Sequence, residues 1–227
     1  MIEAKIYGLY DAMFRTTLKS KYNNKLIGYH QPIPETKPGS MVFIHVPRTG
    51  GTSINQYMKE YHKTNSHRLL YTEPHFIPDF NLPINSFSYY TVIRHPVERA
   101  LSYYQLQLKD KLQPYRHLIK AGDAVFVSKC WEVDNIYVRY FSNTVEKKVV
   151  DKHDMLKAYK TLLNFEKCIP FEDISQFFTT EFPVDTVTFP HLNKSVSTKN
   201  SNTLRKLLEE RNFLDLELYN MLMKEHT

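Results

Sequence analysis

The chain has 227 residues, 42% of them hydrophobic and 14% aromatic, enough to bury one substantial core, or one core with a small appendage. Its formal net charge of +6 favours anionic partners such as phosphates, sulfated or carboxylated sugars, acidic membrane surfaces or nucleic acid, without choosing among them. Only Cys130 and Cys168 are present, too few for a disulfide framework, and no window reaches the ~18 apolar residues of a membrane helix.

The N-terminal MIEAKIYGLYDAMF carries acidic residues where a signal peptide is uniformly apolar. After it, SKYNNKLIGYHQPIPETKPGS (Ser20–Ser40) is rich in Asn, Lys and Pro, so residues 1–40 read as an arm and 41–227 as one globular domain. MVFIHV, ending at Pro47, is a β-branched and aromatic run that predicts a buried strand. Ile54, Tyr57, Met58 and Tyr61 then recur at the spacing of one helix face. The same succession follows with SYYTVIR (Ser88–Arg94) as strand and Val97, Leu101, Tyr104 and Leu108 as helix face. The closing SNTLRKLLEERNFLDLELYNMLMKEH predicts a surface helix pair. Repeated strand-to-helix units predict an α/β domain in three layers, with a central, mainly parallel sheet flanked by helices.

The loop between the first strand and helix holds two of the chain's 6 glycines side by side. A strand that turns sharply into a helix leaves the N–H groups of the first turn without intrahelical partners, and these suit an anion. Gly50 and Gly51 allow close backbone approach, Thr49, Thr52 and Ser53 bring hydroxyls, and Arg48 brings a permanent charge. The pattern also suits an ordinary turn with a capping Thr or Ser. It lacks the lysine that directly precedes the hydroxyl residue in an ATP-binding P-loop, which weighs against a kinase or ATPase. The second unit, TVIRHPVERALSYYQ, places Arg94 at the strand end, Pro96 at the first helical position, Arg99, and Ser102 one turn further. Arg94 and Ser102 could clasp a second phosphate; the plainer alternative is a solvated Arg99/Glu98 surface and a neutral Ser102.

These two motifs resemble those of the sulfotransferases that use 3'-phosphoadenosine 5'-phosphosulfate (PAPS), specifically the carbohydrate branch similar to heparan sulfate and uronyl 2-O-sulfotransferases. Further echoes are DNIYVRYFSN (Asp134–Asn143), CIPFEDISQFF (Cys168–Phe178), HLNKS (His191–Ser195) and LDLELYNML, so the resemblance runs from about Met41 to the end. It implies a P-loop-like sulfotransferase fold and in-line transfer of a sulfonate group to a hydroxyl of a carbohydrate or other acceptor, including an anionic polysaccharide. By resemblance, Arg48 to Ser53 (Arg48, Thr49, Gly50, Gly51, Thr52, Ser53) hold the 5'-phosphosulfate and Arg94 with Ser102 hold the 3'-phosphate. Lys194 and Ser195 belong to a loop that closes over the nucleotide. The family's loop usually carries Lys where this chain has Arg48. A guanidinium can neutralise a leaving oxygen but cannot serve as a general acid.

An acceptor hydroxyl needs a base, and YTEPHFIPDF, between the two motifs, offers His75 and Glu73. His75, with Asp79 and Phe80, matches the 2-O branch, and Glu73 is the alternative. His45, His95 and His191 have plainer expected roles around the loops, and no histidine falls at metal-ligand spacing, so no metal is expected. Tyr103, Tyr104 and Trp131 are expected in the core more than stacked on a ligand ring. Two other readings stay open: a protein that binds PAPS, its bisphosphate product or an anionic glycan with little activity, and a nucleotide kinase-like P-loop protein. Basic residues scattered among Asp and Glu argue against nucleic acid. The expected location is cytoplasmic for a microbial or viral protein and the Golgi lumen for a trimmed animal catalytic domain.

Overall fold

The computed structural model describes residues 40–64, 69–71, 87–109, 113–145, 147–184, 188–190 and 202–224. The expected arm lies outside them, except that Ser40 already opens the first strand. The strands are β1 (Ser40–Ile44), β2 (Leu69–Tyr71), β3 (Phe87–Ile93) and β4 (Lys167–Pro170). The helices are α1 (Gly51–Thr64), α2 (Pro96–Lys109), α3 (Arg116–Lys120), α4 (Asp123–Lys129), α5 (Ile136–Ser142), α6 (Lys152–Leu163), α7 (Ile174–Glu181), α8 (Asn202–Arg211) and α9 (Phe213–Lys224). Short 3-10 turns occupy Trp131–Val133 and Phe171–Asp173.

The sheet order is β2-β1-β3-β4 and every pairing is parallel, as the repeated strand-to-helix pattern predicts. Strand alternation sends Val42, Ile44, Tyr89, Ile93 and Cys168 into one core cluster and Phe43, Val92 and Ile169 into the opposite one. Helices α5, α6 and α9 cover the first face, and α1 and α7 cover the second, which gives the three layers. Helix α1 joins β1 to β2 on one face, whereas α5 and α6 lie between β3 and β4 on the other. Right-handed crossovers running outward in opposite directions from the central strands place their helices in this way. A third cluster, beside the sheet, packs α2 against α4 and α8.

Local details depart from the sequence pattern where tertiary contacts intervene. β1 stops at Ile44, two residues short of the predicted run, because the Val46 carbonyl accepts from the Thr49 hydroxyl (2.7 Å) within the turn. On α1, Ile54, Tyr57, Met58 and Tyr61 are all buried as predicted. On α2, Val97 and Leu101 are buried, but Leu108 is 40% exposed and Tyr104 is half-buried. The buried face instead includes Arg99, Ser102, Tyr103 and Gln107. Backbone groups of the following segments capture the polar ones: Arg99 Nη2 donates to the Glu132 carbonyl, and Gln107 Oε1 accepts from the Tyr115 N–H. The C-terminal pair forms as the predicted surface helices α8 and α9, broken at Asn212, with one face of α9 turned inward. Its Leu214, Leu218 and Leu222 enter the core.

Helices α5 and α9 cap each other. Asn135 Oδ1 accepts from the N–H groups of Leu214 (3.0 Å) and Asp215 (3.1 Å), while the Asp215 carboxylate accepts from those of Tyr137 (3.1 Å) and Val138 (2.9 Å). Both helix starts thereby lose orphan donors that burial would make costly. Asp134 adds a buried ion pair to Arg139 (2.5 Å) and a second to Arg211 (2.9 Å). The consequence for the site lies at Tyr137. Its hydroxyl donates to the Arg94 carbonyl (2.9 Å) and accepts from the Arg94 N–H (3.0 Å), pinning the end of β3.

Candidate functional site

Strand order reverses between β1 and β3: the chain leaves β1 toward β2 on one side, and β3 lies on the other. In open parallel sheets the crevice beyond the carboxyl ends of such strands is where ligands bind. Both loops singled out in the sequence, 45–50 after β1 and 94–95 after β3, emerge there.

The first loop is sharply folded. Arg48 has φ 72° and Gly50 φ 87°, so the chain passes twice through the left-handed region, once at a residue that carries a full side chain. The Gly50 carbonyl accepts from the N–H groups of Ser53 (3.0 Å) and Ile54 (3.2 Å), starting α1. The N–H groups of Gly51 and Thr52 precede that ladder and have no intrahelical acceptor. The two glycines are required for separate reasons. A Cβ on Gly50 would be strained by its φ and meet Ile174 Cδ1 at 2.7 Å; one on Gly51 would sit 2.0 Å from His45 Nε2. His45 is thus a buried wedge beneath the helix entry. Of the three hydroxyl residues, Thr52 is exposed and Ser53 buried, while Thr49 is fully buried and gives its proton to Val46. Thr49 therefore staples the turn and does not offer the expected free hydroxyl donor.

Three arginines gather around this loop. Arg48 Nε donates to Ser102 Oγ (3.1 Å), and Arg94 Nη1 donates to the Arg48 carbonyl (3.3 Å). The Arg94 guanidinium lies over the Phe171 ring, 4.5 Å from its centre. The two motifs therefore form one contiguous cluster. Burial, reinforced by the fields of Arg94 and then Arg99, pulls the Arg48 guanidinium below its ordinary value, with Tyr103 opposing. Burial also lowers Arg94, against raising contributions from Tyr137, Glu98 and Glu172, with Arg99 adding to the lowering. Among the described residues no carboxylate forms an ion pair with Arg48 or Arg94. Among the described residues, positive charge is concentrated here without a paired carboxylate.

Arg99 is the residue that the sequence pattern misplaced. In place of a solvated Arg99/Glu98 pair, Arg99 is fully buried, with Nε and Nη1 lacking a hydrogen-bond partner, and Glu98 pairs with Arg205 of α8 (2.7 Å). Phe171 and Ile174, at the carboxyl end of β4, were not singled out, yet they wall the glycine loop. An aromatic residue directly after an apolar strand, in an open α/β sheet, is the signal that could have marked Phe171.

Tyr103 belongs to the core, and the Tyr104 hydroxyl donates to Asp123 Oδ1 (2.8 Å). Trp131 packs on the first core cluster, and the His95 ring meets the Tyr219 ring edge-on at 5.3 Å. His75, Glu73, Asp79, Phe80, His191, Lys194 and Ser195 lie outside the described residues. Among the described residues no group of His, Cys, Asp and Glu is placed to hold a metal ion, and no helix is long and apolar enough to cross a membrane. No protein-family model matches the chain, and no curated protein matches it either.

Proposed function

We propose that the chain is a sulfotransferase that moves a sulfonate group from PAPS to a hydroxyl of a carbohydrate acceptor, on a sulfotransferase fold. The observation that carries this reading is the gathering of Arg48, Arg94 and Arg99 beside a glycine-paired helix entry, at the point where strand order reverses, with no carboxylate paired to Arg48 or Arg94 among the described residues. The residues fit a nucleotide bearing two anionic groups. The N–H groups of Gly51 and Thr52 have no intrahelical acceptor, and the buried Arg99 has two nitrogens without a partner.

Arg48 and the amides of Gly51 and Thr52 would hold the 5'-phosphosulfate, and Arg94 the 3'-phosphate with Ser102 behind it. PAPS, when bound, supplies the sulfonate and a bisphosphate leaving group. Arg48 would neutralise charge on a leaving phosphate oxygen without giving up a proton. His75 would take the proton of the acceptor hydroxyl, with Glu73 as the alternative base. Positioning and charge neutralisation then carry most of the rate, as they do in phosphoryl transfer.

The test is calorimetric titration with adenosine 3',5'-bisphosphate beside ATP and 5'-AMP, on the wild type and Arg94→Ala. The expected result is binding that requires the 3'-phosphate and weakens at least about tenfold in the variant, the scale of one charge-assisted contact. Indifference to the 3'-phosphate, or preference for ATP with magnesium, overturns the reading in favour of a kinase-like or glycan-binding role. His75→Ala is expected to abolish sulfonate transfer while leaving bisphosphate affinity nearly intact; near-normal turnover would move the base to Glu73.

A further inference from the structure

We propose that the outer face of α6, with the turn that leads into it, docks the protein onto a bilayer rich in anionic phospholipids. This face lies on the outside of a helical layer, whereas the arginine crevice opens at the carboxyl ends of β1 and β3, so the docked protein keeps its crevice open.

The sequence builds α6 with two unlike faces. Asp151 caps its start by accepting from the N–H groups of His153 (2.9 Å) and Asp154 (3.1 Å). Met155, Ala158 and Leu162, at i, i+3 and i+7, are buried in the first core cluster. On the other side Lys152, Leu156, Lys160 and Leu163 follow in steps of four, four and three, and all are exposed. Leu163 is 50% exposed, Leu156 41%, and Val149, just ahead of the helix, 69%. Among the described residues five large hydrophobic side chains are exposed, and three of them fall within this short stretch. Scattered singly such residues are ordinary, but gathered on one face they mark a contact.

Charge identifies the partner. Residues 147–164 carry five lysines against two aspartates, a surplus of three that is half of the chain's formal net charge of +6. Lys147 pairs with Asp151 (2.7 Å) and Asp154 (2.6 Å), and Lys152 with Glu217 (3.0 Å). Lys148, Lys157 and Lys160 are exposed, and among the described residues they form no ion pair. An acidic bilayer satisfies both halves of the face: ammonium groups stay among the anionic headgroups while the aliphatic side chains enter the acyl boundary. A polysaccharide or a nucleic acid gives the leucines nothing to bury in. A second copy packed through the same face would bring like charges together.

The test is co-sedimentation with vesicles of phosphatidylcholine alone and with about one third phosphatidylserine. Wild type is expected to sediment with the acidic vesicles only. Lys157→Glu/Lys160→Glu should weaken that binding at least about tenfold, and Leu156→Ser/Leu163→Ser at least about fivefold, with urea midpoints near that of wild type because all four positions are exposed. Equal binding to neutral vesicles, or none to acidic ones, overturns the proposal. Full binding by the leucine variant would make the occupant a hydrophilic polyanion, and the proposal falls. Arg94→Ala should bind acidic vesicles as wild type does; a loss equal to that of the lysine variant would move the contact to the crevice and overturn it too.

A measurement on the unmutated protein guards against variants that fold poorly. In acidic bicelles containing spin-labelled lipid, the methyl resonances of Val149, Leu156 and Leu163 should broaden, while those of Leu108, exposed on α2, should not. Broadening at Leu108 in their place, or at none of them, would refute docking through α6.

Discussion

Replacing Gly51 by Ala tests whether the helix entry is built around the His45 wedge. The added Cβ would lie 2.0, 2.2 and 2.4 Å from Nε2, Cε1 and Cδ2 of the imidazole, against an ordinary contact of 3.4 Å or more. Three atoms of one ring overlap at once, so a small bend of the side chain does not relieve the clash. The ring is only 6% exposed and must leave its slot, or the first turn of α1 must shift. Overpacking of this kind costs about 1 to 3 kcal/mol, and the depth of overlap points to the upper part of that range. The assay is urea denaturation, read as a lower midpoint at unchanged slope. His45→Ala/Gly51→Ala should then be more stable than the sum of the single losses by at least about 1 kcal/mol, because the small side chain removes the object of the clash. A Gly51→Ala protein as stable as wild type, or strictly additive losses, would refute the wedge. Gly50→Ala provides the contrast: its cost of about 1 kcal/mol comes from the positive φ, since Ile174 Cδ1 is the movable end of a flexible side chain.

Two further substitutions probe the frame behind the arginines. Tyr137→Phe removes a hydroxyl that serves both the N–H and the carbonyl of Arg94, and should cost about 2 kcal/mol in urea denaturation together with a loss of bisphosphate affinity; unchanged affinity would show that Arg94 is held in place without it. Asp215→Asn probes the mutual cap through pH. Burial pushes the Asp215 carboxyl up to about 6, with the N–H groups of Val138 and Tyr137 opposing, so its stabilising contribution is complete below its ordinary value of 3.8 and is lost as pH rises through 6. The stability advantage of wild type over Asp215→Asn should therefore shrink by about 3 kcal/mol between pH 4 and pH 7, and an advantage that grows over that interval would refute the assignment.

Much of the sheet and of the first loop could be read from local pattern, because the physics there is local. A β-branched and aromatic run makes β1, four apolar residues at helical spacing make the inner face of α1, and adjacent glycines mark a turn that takes Gly50 through a positive φ and leaves no room for a Cβ at Gly51. Helix α2 shows where pattern fails. A hydrophobicity period assigns Leu108 inward and Arg99 outward, but Arg99 is drawn inside by a backbone carbonyl 33 residues away, which no window on the sequence contains. The segment DNIYVRY was visible only as a resemblance, and LDLELYNML as a resemblance and a leucine-rich helix pattern. Their task, capping each other's helices and pinning Arg94 through Tyr137, depends on contacts spanning 43 to 80 residues. The strand order that brings β1 beside β3, and hence Arg48 beside Arg94, is likewise a non-local outcome.

Position 48 shows how such non-local placement constrains chemistry. Burial, with Arg94 and Arg99 nearby, disfavours a cation at this point, and the left-handed backbone adds strain that a glycine would avoid. A lysine here would start roughly two to three pH units lower than arginine in its tendency to hold a proton, and the same environment would push it toward neutrality. Arginine keeps its charge, so the site retains its attraction for an anion when the crevice is dry. The cost is that a guanidinium cannot hand a proton to a leaving group. Any transfer performed here must draw its proton traffic from elsewhere in the crevice and leave Arg48 to stabilise charge alone. A residue that must stay charged in a buried site, keep its backbone in a strained region and donate to a buried serine leaves little freedom of choice. Arginine meets these demands with donors on three separate nitrogens and a charge that burial does not extinguish.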